Sequence, residues 1–193
     1  MKEYEIKLKI DNPAEWRKRV LALKGKFISK KLEYDISLDK PNHYMKKRGD
    51  ILRIKQIGDK VVLGYKNRKA KSGYRLEEEI ELECLDLQKI ILIFKKLGYT
   101  YIRSEMEKIR ETYLLPIGKI TIDKLPQLGY FVEIESQTRK NLLVLIKKFG
   151  INREEVITER YGKIIKRYLR SIGMKDNSLL STTSPASPIR RAR

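Results

Sequence analysis

The chain has 193 residues, 41 % hydrophobic and 36 % charged, enough for one domain with a substantial core. Lys and Arg total 44 against 25 Asp and Glu, a formal +19, which favours a polyanionic partner: a polyphosphate, a nucleotide, a nucleic acid or an acidic surface. No apolar run reaches the ~18 residues of a membrane span, the opening residues read as a charged strand rather than a leader peptide, and a single cysteine, Cys84, excludes an internal disulfide, so a cytoplasmic setting is expected.

The first predicted strand begins at Glu3. Side chains alternate faces along a strand, so Glu3, Glu5 and Lys7 share one face while Tyr4, Ile6 and Leu8 share the other. Asn12-Pro13-Ala14-Glu15 has the form of a helix start, and the helix it opens carries Trp16, Val20, Leu21 and Leu23 before stopping near Gly25. Residues 26–40 read as two strand pieces, Phe27-Ile28-Ser29 and Leu32 to Leu38, flanked by Asp35 and Asp39. Pro41 to Gly49 reads as a polar turn holding His43, the only histidine, which makes no zinc site with one distant cysteine.

Ile51 to Gln56 alternates strictly, with Arg53 and Lys55 on one face. Gly58-Asp59 marks a hairpin, and the returning strand, Val61 to Asn67, carries Lys66. A basic loop, Arg68 to Gly73, precedes a strand from Tyr74 to Leu82, on which Arg75, Glu77, Glu79 and Glu81 share a face. Asp86 to Leu97 is an amphipathic helix closed by Gly98. The second half repeats the design: Glu105 to Tyr113 with Lys108 and Arg110 together, Gly118 to Lys124 with Asp123, and Tyr130 to Glu135 with Glu133 and Glu135 together. Helices are predicted from Thr138 to Phe149 and, after an irregular start, from Arg153 to Ile172. Residues 1–175 read as one domain, and 176–193 as a disordered Ser/Thr/Pro-rich basic tail.

One antiparallel sheet with a wet face would account for alternation in any single strand. The set of strands asks for more, because the shared-face residues are nearly all ionised. Seven acids (Glu3, Glu5, Glu77, Glu79, Asp123, Glu133, Glu135) stand against seven bases (Lys7, Arg53, Lys55, Lys66, Arg75, Lys108, Arg110). A sheet closed on itself, with charges inside and helices outside, satisfies both faces. Such a lumen suits a divalent metal and a polyphosphate: carboxylates are the hard donors Mg²⁺ or Mn²⁺ require, and Arg forks and Lys point charges match phosphate oxygens. No Walker A loop is present.

At this point the residues resemble the CYTH superfamily of triphosphate tunnel metalloenzymes, which includes class IV adenylyl cyclases, thiamine triphosphatases and inorganic triphosphatases. The resemblance rests on Glu3-x-Glu5-x-Lys7 followed in order by Asp35 to Asp39, Leu52-Arg53-Ile54-Lys55, Gly64-Tyr65-Lys66, Arg75-x-Glu77-x-Glu79, Leu97-Gly98-Tyr99, Lys108-x-Arg110, Ile122-Asp123, Leu128-Gly129-x-Phe131-x-Glu133-Ile134-Glu135 and Tyr161. It implies an α+β fold built on an eight-stranded antiparallel tunnel. It further implies Glu3, Glu5, Asp123, Glu133 and Glu135 as metal-side acids, with Glu77 and Glu79 as further tunnel acids. Lys7, Arg53, Lys55, Lys66, Arg75, Lys108 and Arg110 look like a triphosphate cradle, Glu5, Lys7, Arg53 and Lys66 its catalytic members, and Tyr161 a gating residue. One metal would bind phosphate oxygens and a second orient the attacking water. The sequence departs from the family at Ser37-Leu38, where many relatives carry an aromatic pair.

The expected activity is metal-dependent hydrolysis of a triphosphate, with cyclisation of ATP to cyclic AMP as the alternative. A third reading is a polyphosphate- or RNA-binding module without turnover. Ten Lys/Arg against three Glu between Gln137 and Ser171 favour it, but the sequence shows no clustering of aromatics with bases into a stacking platform. Neither membrane nor nucleic acid is therefore the favoured partner, and a monomer or a homodimer is compatible.

Overall fold

The computed structural model describes residues 2–71 and 74–174. Eight strands are β1 (Lys2–Ile10), β2 (Lys26–Asp39), β3 (Asp50–Ile57), β4 (Lys60–Lys71), β5 (Tyr74–Cys84), β6 (Tyr101–Leu115), β7 (Gly118–Leu125) and β8 (Gly129–Ser136). Among the described residues the helices are α1 (Pro13–Ala22), α2 (Tyr44–Arg48), α3 (Leu87–Lys96), α4 (Arg139–Lys148) and α5 (Tyr161–Ser171), with one 3-10 turn at Arg153–Glu155. The strands close antiparallel in the order β1-β5-β4-β3-β2-β6-β7-β8, with the helices packed outside. No helix among the described residues is long and apolar enough to cross a membrane.

Most predicted elements stand where the pattern put them, with four differences. The helix predicted from Arg153 is an isolated 3-10 turn at Arg153–Glu155, and α-helix starts only at Tyr161. Residues 26–39 form one continuous strand rather than two pieces. Part of the predicted turn at 41–49 is helical: the Asp39 carboxylate accepts from the backbone N–H groups of Met45 and Lys46 at 2.8 and 3.1 Å, which pins the turn that becomes α2. The predicted loop at 68–73 is strand as far as Lys71, and Ser72-Gly73 lie outside the described residues, as does the tail from 176.

The chain divides into two compact groups, one of residues 1–31, 68–79 and 109–160, the other of 32–67, 80–108 and 161 onward. In the first, Asn12 caps α1 by accepting from the Glu15 N–H at 3.1 Å. The apolar rows Ile6-Leu8-Ile10, Tyr113-Leu115, Ile120-Ile122 and Val132-Ile134 pack with Trp16 and Val20 of α1 and Leu142, Leu145 and Phe149 from α4 and its C-terminal end. In the second, Tyr34, Ile36 and Leu38 join Leu52, Ile54 and Val61 beneath Met45 of α2 and Leu87 and Ile91 of α3. Burying such side chains contributes roughly 1.5–3 kcal/mol each, which is what closes the sheet against its helices. The two-residue Gly58-Asp59 hairpin between β3 and β4 needs a positive φ at its first position, and Gly58 supplies it at +61°.

Buried carboxylates also stand on the apolar side, Glu111 among them. Glu111 lies opposite Ile122, so it faces the helices, where both its oxygens accept from Arg17 of α1 at 2.7 and 2.9 Å. Lys30 adds an ion pair at 3.1 Å and the Tyr113 hydroxyl donates at 3.2 Å. The hydrogen bonds from Arg17 hold the Glu111 carboxyl below its usual range, outweighing burial, with Lys30 adding to the effect. A depressed folded-state pKa means the stabilisation is present above the unfolded value of ~4.3 and is lost as pH falls through the folded value. Glu111→Gln is therefore expected to cost about 2 kcal/mol in urea melts at pH 7, with the gap from the parent narrowing below about pH 4.3. A gap that stays constant down to acid would show that the ionised carboxylate is not what locks α1 to β6.

Candidate active site

The face of the sheet turned away from the helices is charged, and it too is buried. In the first group, register places Glu3 opposite Glu77, Glu5 opposite both Arg75 and Glu135, Lys7 opposite Glu133, Arg110 opposite Asp123, and Lys119 opposite Glu135. Residues directly opposed in an antiparallel ladder share a face, so the separate rows predicted along each strand become one surface.

Glu133 is its hub. Lys7 Nζ stands 3.0 Å from Glu133 Oε1, Arg75 Nη2 lies 3.5 Å from the same oxygen, and Arg110 donates to Oε2. Arg75 also donates to Glu5. Arg110 holds Asp123 in a two-bonded fork, Nε to Oδ1 and Nη2 to Oδ2, both at 2.6 Å. The chain of contacts Glu5, Arg75, Glu133, Arg110, Asp123 is unbroken. Lys7, at 1 % exposure, is among the largest fully buried side chains of the described residues, and its ammonium also reaches the Glu159 carbonyl at 3.4 Å.

Charges this deep persist only because they compensate one another, since an isolated buried ion costs several kcal/mol. Opposed acids make the point: Glu5 and Glu135 would repel, and each is relieved by its own cation, Glu5 by Arg75 and Glu135 by Lys119 at 2.6 Å. Burial pulls the Lys119 ammonium down, yet the carboxylates of Glu135 and Glu3 outweigh it and set its pKa above the usual lysine range. Buried polar atoms on this face without a hydrogen-bond partner include Arg75 Nε and Thr121 Oγ1. Phe131, 1 % exposed and opposite Lys9 and Asp123, puts a buried apolar ring on this mostly ionised face.

In the second group, register sets Asp35 opposite Lys55 and Ser37 opposite Arg53. Arg53 contacts Asp35 at 3.5 Å and Glu81 at 3.3 Å, and Lys55 pairs with Glu81. Gly64 lies opposite Arg53, and a Cβ there would come within 3.3 Å of the Arg53 side chain, so the glycine leaves the guanidinium its room. Lys66, two residues on, shares that face. Lys108 pairs with Glu33 at 3.5 Å and stands 5.2 Å from the ring centroid of buried Tyr161 at the start of α5.

Of the residues named from sequence, Glu5, Lys7, Arg75, Arg110, Asp123 and Glu133 are joined in one network, and Arg53 with Lys55 in another. Glu3, Glu77, Glu79 and Glu135 continue the charged face of β1, β5 and β8. Sequence reasoning passed over Glu33, Asp35 and Glu81 as partners of the bases, and Lys119 as the partner of Glu135, although all sit at the same parity as residues it named.

The donor set fits a hard divalent cation. Glu5, Asp123 and Glu133 offer carboxylate oxygens within one connected cluster. No three acids among the described residues stand together as a ready cage. Mg²⁺ does not require one, because it is commonly held by one or two carboxylates with phosphate oxygens and water completing its octahedron.

Comparison with known proteins agrees. A Methanocaldococcus jannaschii protein provisionally named an adenylate cyclase is 29 % identical over 170 residues, which is 83 % of this chain and 97 % of that protein. A solved structure from Vibrio parahaemolyticus, also provisionally named an adenylate cyclase, superposes with a TM-score of 0.74 at 20 % identity, covering 84 % of this chain and 96 % of that one. A Hippeastrum protein provisionally named an adenylyl cyclase, whose structure is described as revealing a dominant triphosphatase activity, superposes at 0.64 with 17 % identity, covering 90 % and 97 %. A family model for the CYTH domain matches residues 1–155, from the acidic start of β1 to beyond α4, and with the closed barrel and its ionised face already in place the chain belongs to the CYTH domain family.

Proposed function

We propose that the chain is a divalent-metal-dependent hydrolase of triphosphates that releases phosphate. The observation that carries this reading is the Glu133 hub, in which three cations converge on one buried carboxylate within a chain of further acids. Every cation there is a phosphate ligand, and every acid is a ligand for Mg²⁺ or Mn²⁺.

The pairing works as an exchange. Lys7, Arg75 and Arg110 transfer their hydrogen bonds from carboxylates to the oxygens of an entering triphosphate, and Glu5, Asp123 and Glu133 are the residues that would hold a divalent cation. Glu3 and Glu135 lie at the Lys119 end of the same face and extend the acidic side. Arg53, Lys55, Lys66 and Lys108 of the second group are further phosphate-binding residues in this proposal, and Tyr161, whose ring lies 5.2 Å from Lys108, is its gating residue. Bound metal supplies charge neutralisation at the phosphate oxygens. Phosphoryl transfer needs positioning and charge stabilisation above all, which preorganised cations provide without reorganising during the reaction. Arg75 Nε, buried without an acceptor, is a donor ready for a phosphate oxygen.

Cyclisation of ATP to cyclic AMP is the second reading, favoured by the provisional names of the Methanocaldococcus jannaschii and Vibrio parahaemolyticus relatives. The same cradle stabilises either transition state. Hydrolysis is preferred here because position 37, opposite Arg53, is a small polar serine with no ring to stack on a base. The test is to incubate the full chain with tripolyphosphate, ATP or thiamine triphosphate and Mg²⁺ or Mn²⁺, measuring phosphate and cyclic AMP together. Phosphate without cyclic AMP is the expected outcome. Cyclic AMP with stoichiometric pyrophosphate would replace this reading by the second.

A further inference from the structure

The sequence scatters its tyrosines, but the fold gathers three of them with cations around α2. Lys40 Nζ stands 5.7 Å from the ring centroid of Tyr44 and 5.1 Å from that of Tyr99, so one ammonium serves two rings. Arg48 lies 5.4 Å from the Tyr44 ring and donates to its hydroxyl at 3.2 Å. Phe94 braces Tyr99 edge-on at 5.7 Å, and His43, at a φ of 57°, stands edge-on to Tyr101 at 4.8 Å. Tyr44 stays 42 % exposed and Tyr101 38 % exposed.

The surface is also free of acid. Residues 40–49 and 99–103 contain Lys40, Lys46, Lys47, Arg48 and Arg103 and no Asp or Glu. The carboxylates that flank residues 40–49 in the chain are buried and already used: Asp39 accepts from the backbone at the start of α2, and Asp50 is engaged by Arg48 and Asn67. Arg103 is fixed by donating to the Asp50 carbonyl at 2.9 Å. None of these residues takes part in the charged network proposed for catalysis.

We propose that this surface binds single-stranded nucleic acid without sequence preference. Exposed rings interleaved with cations are what such binding uses: bases stack on the aromatic faces, every base having one, while ammonium and guanidinium groups track the phosphates. A lipid headgroup region would accept the same cations, but insertion needs exposed aliphatic side chains. The aliphatics of residues 40–49 and 99–103 face inward, Met45 being buried and Ile102 packed on the core, while Ile93 and Leu97 beside Phe94 and Tyr99 are exposed, so vesicles are among the probes below. A double-stranded duplex hides its bases from the rings and leaves only the cations to act.

The test is fluorescence anisotropy on the full chain with a labelled oligouridylate of ~12 nucleotides, a duplex of the same length and phosphatidylserine vesicles as probes. Tight, salt-dependent binding of the single strand is expected, weaker binding of the duplex, and no preference for vesicles. Tyr44→Ala should weaken the single-strand affinity about tenfold, in line with the loss of one base stack, while Tyr44→Phe, which keeps the ring, retains it and melts with the parent. Lys47→Ala should flatten the plot of log affinity against log salt by about 0.7. Any one of the following overturns the proposal: affinity unchanged in Tyr44→Ala, equal binding of duplex and single strand, a preference for vesicles, or displacement of the oligonucleotide by equimolar tripolyphosphate. So does an equal loss in Lys147→Ala, on the exposed face of α4, because it would put the strand on a different basic surface.

Discussion

Replacing Glu133 by glutamine is expected to lower triphosphate hydrolysis by at least about 100-fold and to destabilise the fold by about 3 kcal/mol. The two losses share a cause. Lys7 and Arg75, 1 % and 3 % exposed, and Arg110 all lean on this one carboxylate, and an amide neutralises none of them. Arg75 retains Glu5, Arg110 retains Asp123 and Lys7 retains the Glu159 carbonyl, but each loses the charge that Glu133 supplied. Removing one partner of a buried ion cluster costs more than the pair's net contribution, because the remaining charges stay out of water. The same reasoning predicts a rescue. Tripolyphosphate supplies the missing negative charge, so it should raise the melting temperature of Glu133→Gln by more than that of the parent. A variant that melts like the parent and gains nothing from added tripolyphosphate would remove Glu133 from the centre of the site.

Glu5→Gln should separate what Glu133→Gln combines. Glu5 is paired with Arg75, which keeps its contact to Glu133, so the stability cost is about 1 kcal/mol, close to that of one hydrogen bond in a still-compensated cluster. Turnover is nevertheless expected to fall about 100-fold, because under the proposed exchange the Glu5 oxygens hold the divalent cation once Arg75 has turned to phosphate. Tripolyphosphate binding in the absence of metal, measured by calorimetry, should persist. Full activity in this variant with Mg²⁺ and with Mn²⁺ would sink the metal role of Glu5.

The architecture was legible because two periodicities ran through the chain at once. Ile6, Leu8 and Ile10 alternate with Glu5, Lys7 and Lys9 in β1, the same alternation recurs in β7 and β8, and it was the repetition of ionised rows over many strands that pointed to a closed sheet. Pairing was less legible. Glu111 depends on Arg17, 94 residues earlier, and nothing local marks a carboxylate as facing the apolar side. The helix α2 escaped notice because its anchor is the Asp39 side chain, which lies outside the turn it organises. Residues 30–31 looked like a break between two strands because Lys30-Lys31 has no apolar member, yet β2 lies between β3 and β6, and ladder hydrogen bonds hold a strand whatever its side chains. Alternation identified which residues share a face; which cation takes which carboxylate is decided by register, and register belongs to the assembled barrel.

A wall that is hydrocarbon on one side and ionised on the other has a thermal consequence. Exposing apolar surface raises the heat capacity on unfolding and exposing polar surface lowers it. Melting this barrel uncovers Lys7, Arg75, Glu133 and their neighbours together with the aliphatic rows behind them, so the two contributions oppose each other. The stability curve is accordingly flatter than that of a barrel filled with aliphatic side chains. Warming also reduces the penalty for keeping ions out of water, so the interior loses less on heating than an oily one of the same size.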